Sequence, residues 1–197
     1  IGTWAHGITR DTQTNWNGII GNIEIRAASP LRIDNAAVYP DHIIVWTANN
    51  TGKAQTASIL GQEYQLPEGT AKFELPFKVE GPQWDEFDRN MQKIDIVLEN
   101  KEYTDTYTAV YANRNIGIKD KQVIVNGNPI MLRGTVDECV YPLTGYPPMD
   151  KESWARVFNI CKGHGFNYMR YHSWCPPKAA FEAADEIGFY LQVEIPF

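Results

Sequence analysis

Two patterns in succession predict a multidomain chain of β plus α/β class. Between residues 20 and 112, short alternating segments are split by Pro, Gly, Asn and Asp. Between residues 126 and 197 the order is strand, helix, strand, helix, strand. About seven short strands in roughly 90 to 100 residues is the signature of an immunoglobulin-like β-sandwich. Strands that alternate with helices are the grammar of a parallel sheet, here an incomplete (β/α)8 barrel represented by its first three strands and two helices. The chain accordingly divides into residues 1–19, 20–113 and 114–197.

The first 19 residues are polar and turn-rich, carry Trp4 and Trp16, and read as the tail of a preceding domain. Strands are then expected at 23–25, 31–38, 43–47, 54–60, 71–79, 94–98 and 106–111, each alternating in the strand manner between turn residues. No cysteine occurs before Cys139, so apolar packing alone must hold the two sheets. Trp46, placed to fill the space between them, and Phe73, Phe77, Tyr107 and Tyr111 are the expected large contributors, each burial being worth about 1.5 to 3 kcal/mol. Residues 81–91 hold Trp84, Asp85, Glu86, Phe87 and Asp88 without a clean period and read as a loop. Asn49-Asn50-Thr51 fits a glycosylation sequon, a weak tripeptide signal.

Asn126-Gly127 favours a two-residue hairpin turn because both residues tolerate positive φ, so residues 122–132 are expected to form a hairpin leading into the first parallel strand, read at 130–134. Asp150 can cap a helix that runs to about Gly163. A second strand is expected at 166–170. Pro176-Pro177 opens a helix that ends near Gly188, and a third strand follows at 189–194. A parallel sheet needs its edges managed, so an end at Phe197 is expected to be a cut through a longer protein, with the open edge at 189–197 capped by self-association, rearrangement or disorder.

Composition excludes several classes. The net charge of -6 and the pI near 5.2, with 18 Lys and Arg against 24 acids, speak against a nucleic-acid surface, which needs a basic face. The uncharged apolar runs are too short to span a bilayer, so no membrane partner is expected. Ile1 is not a start methionine, so the natural N-terminus is expected to be missing and the compartment is unknown.

Cys161 falls on the apolar face of the first helix with Trp154, Val157 and Phe158, a packing position. Cys139 and Cys175 follow consecutive strands on the loops where a barrel keeps its site. A disulfide, a metal pair, a nucleophile or two partly buried free thiols are the readings, and the absence of metal spacing or a local His partner favours the last. No metal or cofactor is expected.

Three pieces in this order carry a family resemblance. Asn15-Trp16-Asn17-Gly18-Ile19-Ile20-Gly21 is similar to the end of the sugar-binding jelly-roll domain of glycoside hydrolase family 2, the beta-galactosidase and beta-glucuronidase family, where a sandwich also follows. Ile116-Gly117-Ile118, Val125-Asn126-Gly127-Asn128-Pro129-Ile130, Leu132-Arg133-Gly134 and Gly165-Phe166-Asn167-Tyr168-Met169-Arg170 resemble that family's passage into its catalytic barrel. The resemblance covers nearly the whole chain. It implies a sandwich that braces the barrel and a parent enzyme that hydrolyses O-glycosidic bonds in oligosaccharides or glycosides with retention. Retention needs two carboxyl groups about 5 to 5.5 Å apart. In the family these follow the fourth and seventh strands, so this chain is expected to hold no catalytic residue and to be inactive alone.

The resemblance also implies a set of residues that contact substrate or support the site. Arg170 takes the place of an Arg that supports the nucleophile in the wider clan of retaining glycosidases, against the bland reading of a structural ion pair. Arg133 is expected at the C-terminal, catalytic end of the first strand. Asp137 and Glu138 are adjacent and would point apart, so they do not make a catalytic pair; Glu194, at the end of the third strand, reads as a substrate-contacting or ion-pairing residue. His172 is displaced by one residue from the family's His-Tyr-Pro run and either reaches the pocket or is satisfied elsewhere, and Trp174 either stacks on a sugar or packs beneath its loop. Val136, Glu138 and Cys139 stand where well-known members carry an Asn and a His-Glu pair, so the galactosidase-type contact set is absent.

A rival from another class is a stand-alone carbohydrate-binding or interaction module. It has no use for a hairpin leading into βαβαβ. A metal-dependent barrel hydrolase is disfavoured because the first strand lacks a His-x-His ligand pair.

Overall fold

The computed structural model describes residues 19, 21 and 23–194. The Asn15–Gly21 motif and the expected jelly-roll tail fall almost wholly outside the described residues, as do residues 195–197 of the expected open edge. The chain divides into two units. One comprises Glu24–Gln83 and Asn90–Asn115; the other comprises Trp84–Arg89 and the described residues from Ile116 onward.

The first unit holds two antiparallel sheets. β1 (Leu31–Val38), β2 (His42–Asn49) and β5 (Gly69–Pro76) pair in the order β1-β2-β5, while β3 (Gln55–Ile59), β4 (Gln62–Leu66), β6 (Met91–Glu99) and β7 (Thr104–Ala112) pair in the order β4-β3-β6-β7. Alternation decides which side chains turn inward: Leu31, Ile33, Ile43, Val45 and Leu75 from one sheet meet Ala57, Ile59, Leu66, Ile96, Leu98 and Ala109 from the other. A register shift between Ile33 and Asn35 marks a bulge in β1.

Three expectations for this unit are corrected. No strand forms at 23–25, where Ile23 and Ile25 are exposed. The seventh strand is instead β4, joined to β3 through Leu60 and Gly61, both at positive φ. Its sequence, Gln-Glu-Tyr-Gln-Leu on an edge, turns only Leu66 fully inward and so lacks the apolar alternation that marks a strand. Trp46 does not fill the inter-sheet space. It alternates away from Ile43 and Val45 onto the outer face of β2, where the Lys72 ammonium sits 5.9 Å from its ring centroid. Phe73, Phe77 and Tyr107 border the aliphatic core rather than compose it, and Tyr111 packs edge-on against Phe77. Asn49 of the sequon is 1% exposed and uses its amide inside the fold, donating to the Lys53 and Leu66 carbonyls and accepting from Thr51.

The second unit opens with β8 (Ile116–Lys119), β9 (Gln122–Val125) and β10 (Asn128–Pro129), antiparallel in the order β10-β9-β8. The expected Asn126-Gly127 turn is present, with φ of 51° and 83°. A parallel sheet follows in the order β11-β12-β13, from Gly134–Asp137, Tyr168–Tyr171 and Tyr190–Val193, with α1 (Lys151–Gly163) and α2 (Lys178–Ile187) as the intervening helices. α1 starts as its sequence dictates, the Asp150 carboxylate accepting from the Ser153 amide at 2.7 Å. α2 stops at Gly188, whose left-handed φ of 75° suits glycine. Trp154 and Phe158 of α1 and Ala180, Ala183 and Ala184 of α2 cover Met169 and Tyr171 of β12 and Phe189 ahead of β13.

The first parallel strand is displaced from its expected position. It begins at Gly134 rather than ending there, and Met131 is 74% exposed. Ile130 extends the preceding hairpin by donating to the Val123 carbonyl, so the apolar run 130–132 belongs to the approach and not to the sheet. Gly134 is required where the strand starts: a Cβ there would lie 2.1 Å from Tyr168 Cδ1 and 2.6 Å from its carbonyl oxygen.

Candidate functional site

The C-terminal ends of three parallel strands lie side by side, with Asp137, Tyr171 and Val193 in register. Backbone bonds carry the alignment past the strands, from His172 N–H to the Asp137 carbonyl at 2.9 Å and from Glu194 N–H to the Tyr171 carbonyl at 3.3 Å. Loop ends of parallel strands are where such sheets expose side chains that the helices do not cover.

Arg170 and Glu194 meet here. The Arg170 Nε donates to Glu194 Oε1 at 2.6 Å, and a guanidinium Nη reaches the same carboxylate oxygen. The second oxygen, Oε2, accepts from the Ser173 amide at 2.9 Å. Glu194 thus lies below its ordinary pKa of 4.5, first because the Ser173 N–H favours the anion, then because Arg170 does, with a smaller contribution from His172. Ser173 is buried and at a positive φ of 61°, a conformation the carboxylate contact helps hold. On the same sheet face the Tyr168 hydroxyl donates to Gln192 Oε1, while Val136 is exposed.

Asp137 belongs to the opposite face. In register with Tyr171, it turns toward the loop, where Oδ1 accepts from the Cys139 amide at 2.8 Å and Oδ2 from the Tyr141 hydroxyl at 2.9 Å. Burial raises its pKa above 3.8 and outweighs those two bonds. The same surroundings push the Cys139 thiol up to about 12, through burial and then the Asp137 charge, so this cysteine is held as a thiol. Trp174 is 8% exposed, donates from Nε1 to the Asp137 carbonyl at 3.1 Å, and is wedged among Tyr141, Trp154 and Tyr171. Its indole is therefore part of the core beneath the loop.

The remaining expected residues scatter. Glu138 is exposed. Arg133 precedes β11 at the N-terminal end of the sheet, opposite the expected end, and its guanidinium pairs with Glu86 at 3.0 Å. His172 is half-buried on the loop that Ser173 and Glu194 anchor. The three cysteines are free thiols, and among the described residues no three His, Cys, Asp or Glu side chains cluster as a metal site would require.

Two participants had little signal in the sequence. Ser173 acts through its backbone amide, which no residue type advertises. Asn167 lies inside the Gly165–Arg170 motif, and its part emerges only in three dimensions: fully buried, it accepts from the Arg133 amide at 2.8 Å and donates to the Met131 carbonyl at 3.1 Å, clipping the entry of β11 to β12.

No protein-family model matches the chain. A curated beta-galactosidase of Pectobacterium atrosepticum is 24% identical over 176 residues, which is 87% of this chain and 17% of that protein. Among solved structures, a glycosyl hydrolase family 2 member from Bacteroides cellulosilyticus superposes with a TM-score of 0.70 at 18% identity, over 84% of this chain and 27% of the other. A beta-glucuronidase from Bacteroides uniformis does so with a TM-score of 0.65 at 19% identity, over 85% and 23%. The chain thus spans less than a third of each of these proteins. Over most of its length the chain is similar to a segment of glycoside hydrolase family 2 proteins, the family its motifs indicate.

Proposed function

We propose that the chain is part of a retaining glycoside hydrolase, similar to beta-galactosidases and beta-glucuronidases, that acts on O-glycosidic bonds of an oligosaccharide or glycoside. In this reading Glu24–Gln83 and Asn90–Asn115 form an immunoglobulin-like sandwich that braces the enzyme, and the residues from Ile116 onward open its (β/α)8 barrel. The observation that carries the reading is the Arg170–Glu194 pair at the C-terminal ends of neighbouring parallel strands, the end at which such barrels do their chemistry. Arg170 would orient a nucleophilic carboxylate, with His172 near the pocket mouth and Glu138 free to face solvent.

The chain alone would not hydrolyse glycosides. Glu194 is committed to Arg170 and Ser173, and Asp137 to Cys139 and Tyr141 on the opposite sheet face, so the described strand-end carboxylates do not converge on one bond. Both catalytic carboxylates would follow residue 197. Aryl β-galactosides and β-glucuronides test this with the chain and with a protein extended through the eighth strand. Hydrolysis is expected only from the extended protein, and Arg170→Ala in it should lower kcat by about a hundredfold, the scale of one lost preorganised donor. Equal turnover by the chain and its extension would overturn the assignment. In the chain alone, the outer edge of β13 has no partner strand among the described residues, and self-association through it is expected at high concentration.

A further inference from the structure

Six residues of the parallel unit are distant from the rest of it in sequence. Trp84–Arg89 closes on itself through a bridge between its first and last members, and the Asp85 carboxylate caps the Phe87 and Asp88 amides at 2.7 and 2.8 Å. Trp84 is fully buried, edge-on to Tyr190 with centroids 5.7 Å apart. Its Nε1 donates to the Asp185 carbonyl at 2.7 Å, and its own carbonyl accepts from Asn126 Nδ2 at 2.9 Å. Glu86 pairs with Arg133, while its carbonyl accepts from Lys162 Nζ at 2.7 Å. The same ammonium donates to the Ile187 and Gly188 carbonyls at 2.8 and 3.2 Å.

These contacts answer a definite need. The last carbonyls of a helix have no partners within it, and two of those of α2 are met from outside, Asp185 by the Trp84 indole and Ile187 by the Lys162 ammonium. An ammonium drawn out of water needs its three donors satisfied, and the Glu86 carbonyl is the third acceptor. Gly188 completes the fit, since a Cβ there would stand 2.8 Å from the Glu86 oxygen and 3.1 Å from that of Asp85. The segment therefore sits where α2 ends and β13 begins. β13 then runs from Tyr190, against Trp84, to Val193, and Glu194 follows with its hold on Arg170 and Ser173.

We infer that Trp84–Arg89 is a strap whose seating orders β13 and, through it, the Arg170–Glu194–Ser173 contact, so that the candidate site assembles only with the strap in place. The functional weight of that contact rests on the glycosidase reading; the coupling itself does not. Amide hydrogen exchange on the full chain tests it, because the Ser173 N–H is held by the Glu194 carboxylate and reports its position without substrate.

Trp84→Ala is expected to speed exchange at 188–193 and at Ser173 by about a hundredfold, the amides of Ile43–Val45 and Ile96–Leu98 keeping their rates. Lys162→Met, which keeps the bulk and removes the three donors, is expected to give about tenfold at the same amides. Should Trp84→Ala also release the Ile96–Leu98 amides, Lys162→Met decides by the same criterion. Unchanged exchange at 188–193 would overturn the strap, and faster exchange there with Ser173 unchanged would overturn its link to the site. Absence of glycosidase activity in an extended protein would defeat the functional reading and leave these exchange results standing.

Discussion

The two cores of this chain are built from different materials. Between the two antiparallel sheets the fully buried side chains are aliphatic, with Leu31, Ile43, Ile59, Leu66, Leu75, Ile96 and Leu98 all at 2% exposure or less. In the parallel unit the large buried side chains are rings: Trp154 and Phe158 lie 5.8 Å apart, Phe158 and Phe189 4.8 Å, and Tyr171 and Trp174 5.1 Å. Two sheets about 10 Å apart interdigitate medium-sized side chains from both faces. A helix above a sheet leaves an uneven gap, and here α1 fills it with large residues while α2 lies close through three alanines. Aromatic packing brings polar obligations that an aliphatic core does not have. Trp154 donates to the Pro148 carbonyl and Trp174 to that of Asp137, but the buried Tyr171 hydroxyl has no hydrogen-bond partner among the described residues.

The largest test of this contrast is truncation. Trp154→Ala should cost about 3 to 5 kcal/mol in the parallel unit, against about 0.5 to 1.5 kcal/mol for Ile96→Val between the antiparallel sheets, read from urea midpoints. Equal midpoints would show that the ring cluster is not cohesive. A smaller effect of opposite sign is expected at Tyr171. Removing an unpaired buried hydroxyl by Tyr171→Phe should stabilise by about 1 kcal/mol, and a loss of stability would mean that the hydroxyl is bonded.

The smallest effect concerns pH. Glu194 has a lowered folded pKa, so its contribution is present above its ordinary 4.5 and is lost as pH falls through the folded value. Asp150, lowered by the Ser153 amide and hydroxyl, acts with the same sign. Asp137 acts in reverse: raised by burial, it favours the fold most below 3.8 and less as pH rises through its folded pKa. Glu194→Gln should therefore flatten the acid limb of a stability profile below pH 4.5 without removing it. An unchanged limb would show that the Ser173 and Arg170 contacts of this carboxylate contribute nothing to the acid dependence of stability.

Local chemistry was legible wherever one residue type answers one backbone need. Asp150 starts α1, Gly188 stops α2, and Asn126-Gly127 turns the hairpin, each as expected. β4 was not legible because an edge strand needs few apolar residues, and the first parallel strand was misplaced because an unbroken apolar run carries no period to set its limits. At the site, Arg170 and Glu194 were each named from position, whereas their direct pairing and the part of Ser173 depend on β12 and β13 being adjacent.

By itself the sequence determined the change from short alternating strands to strands alternating with helices, the main caps and turns, and the family motifs, since these depend on residues within a few positions of one another. The tertiary structure alone decided that Trp46 faces outward while Trp84 and Trp174 are buried, that Asp137 and Arg170 lie on opposite faces of one sheet, and that an apparent loop at Trp84–Arg89 seats against α2 and β13. Such choices rest on register and on contacts between residues as far as 101 positions apart, and no local pattern encodes which distant carbonyl an indole will meet.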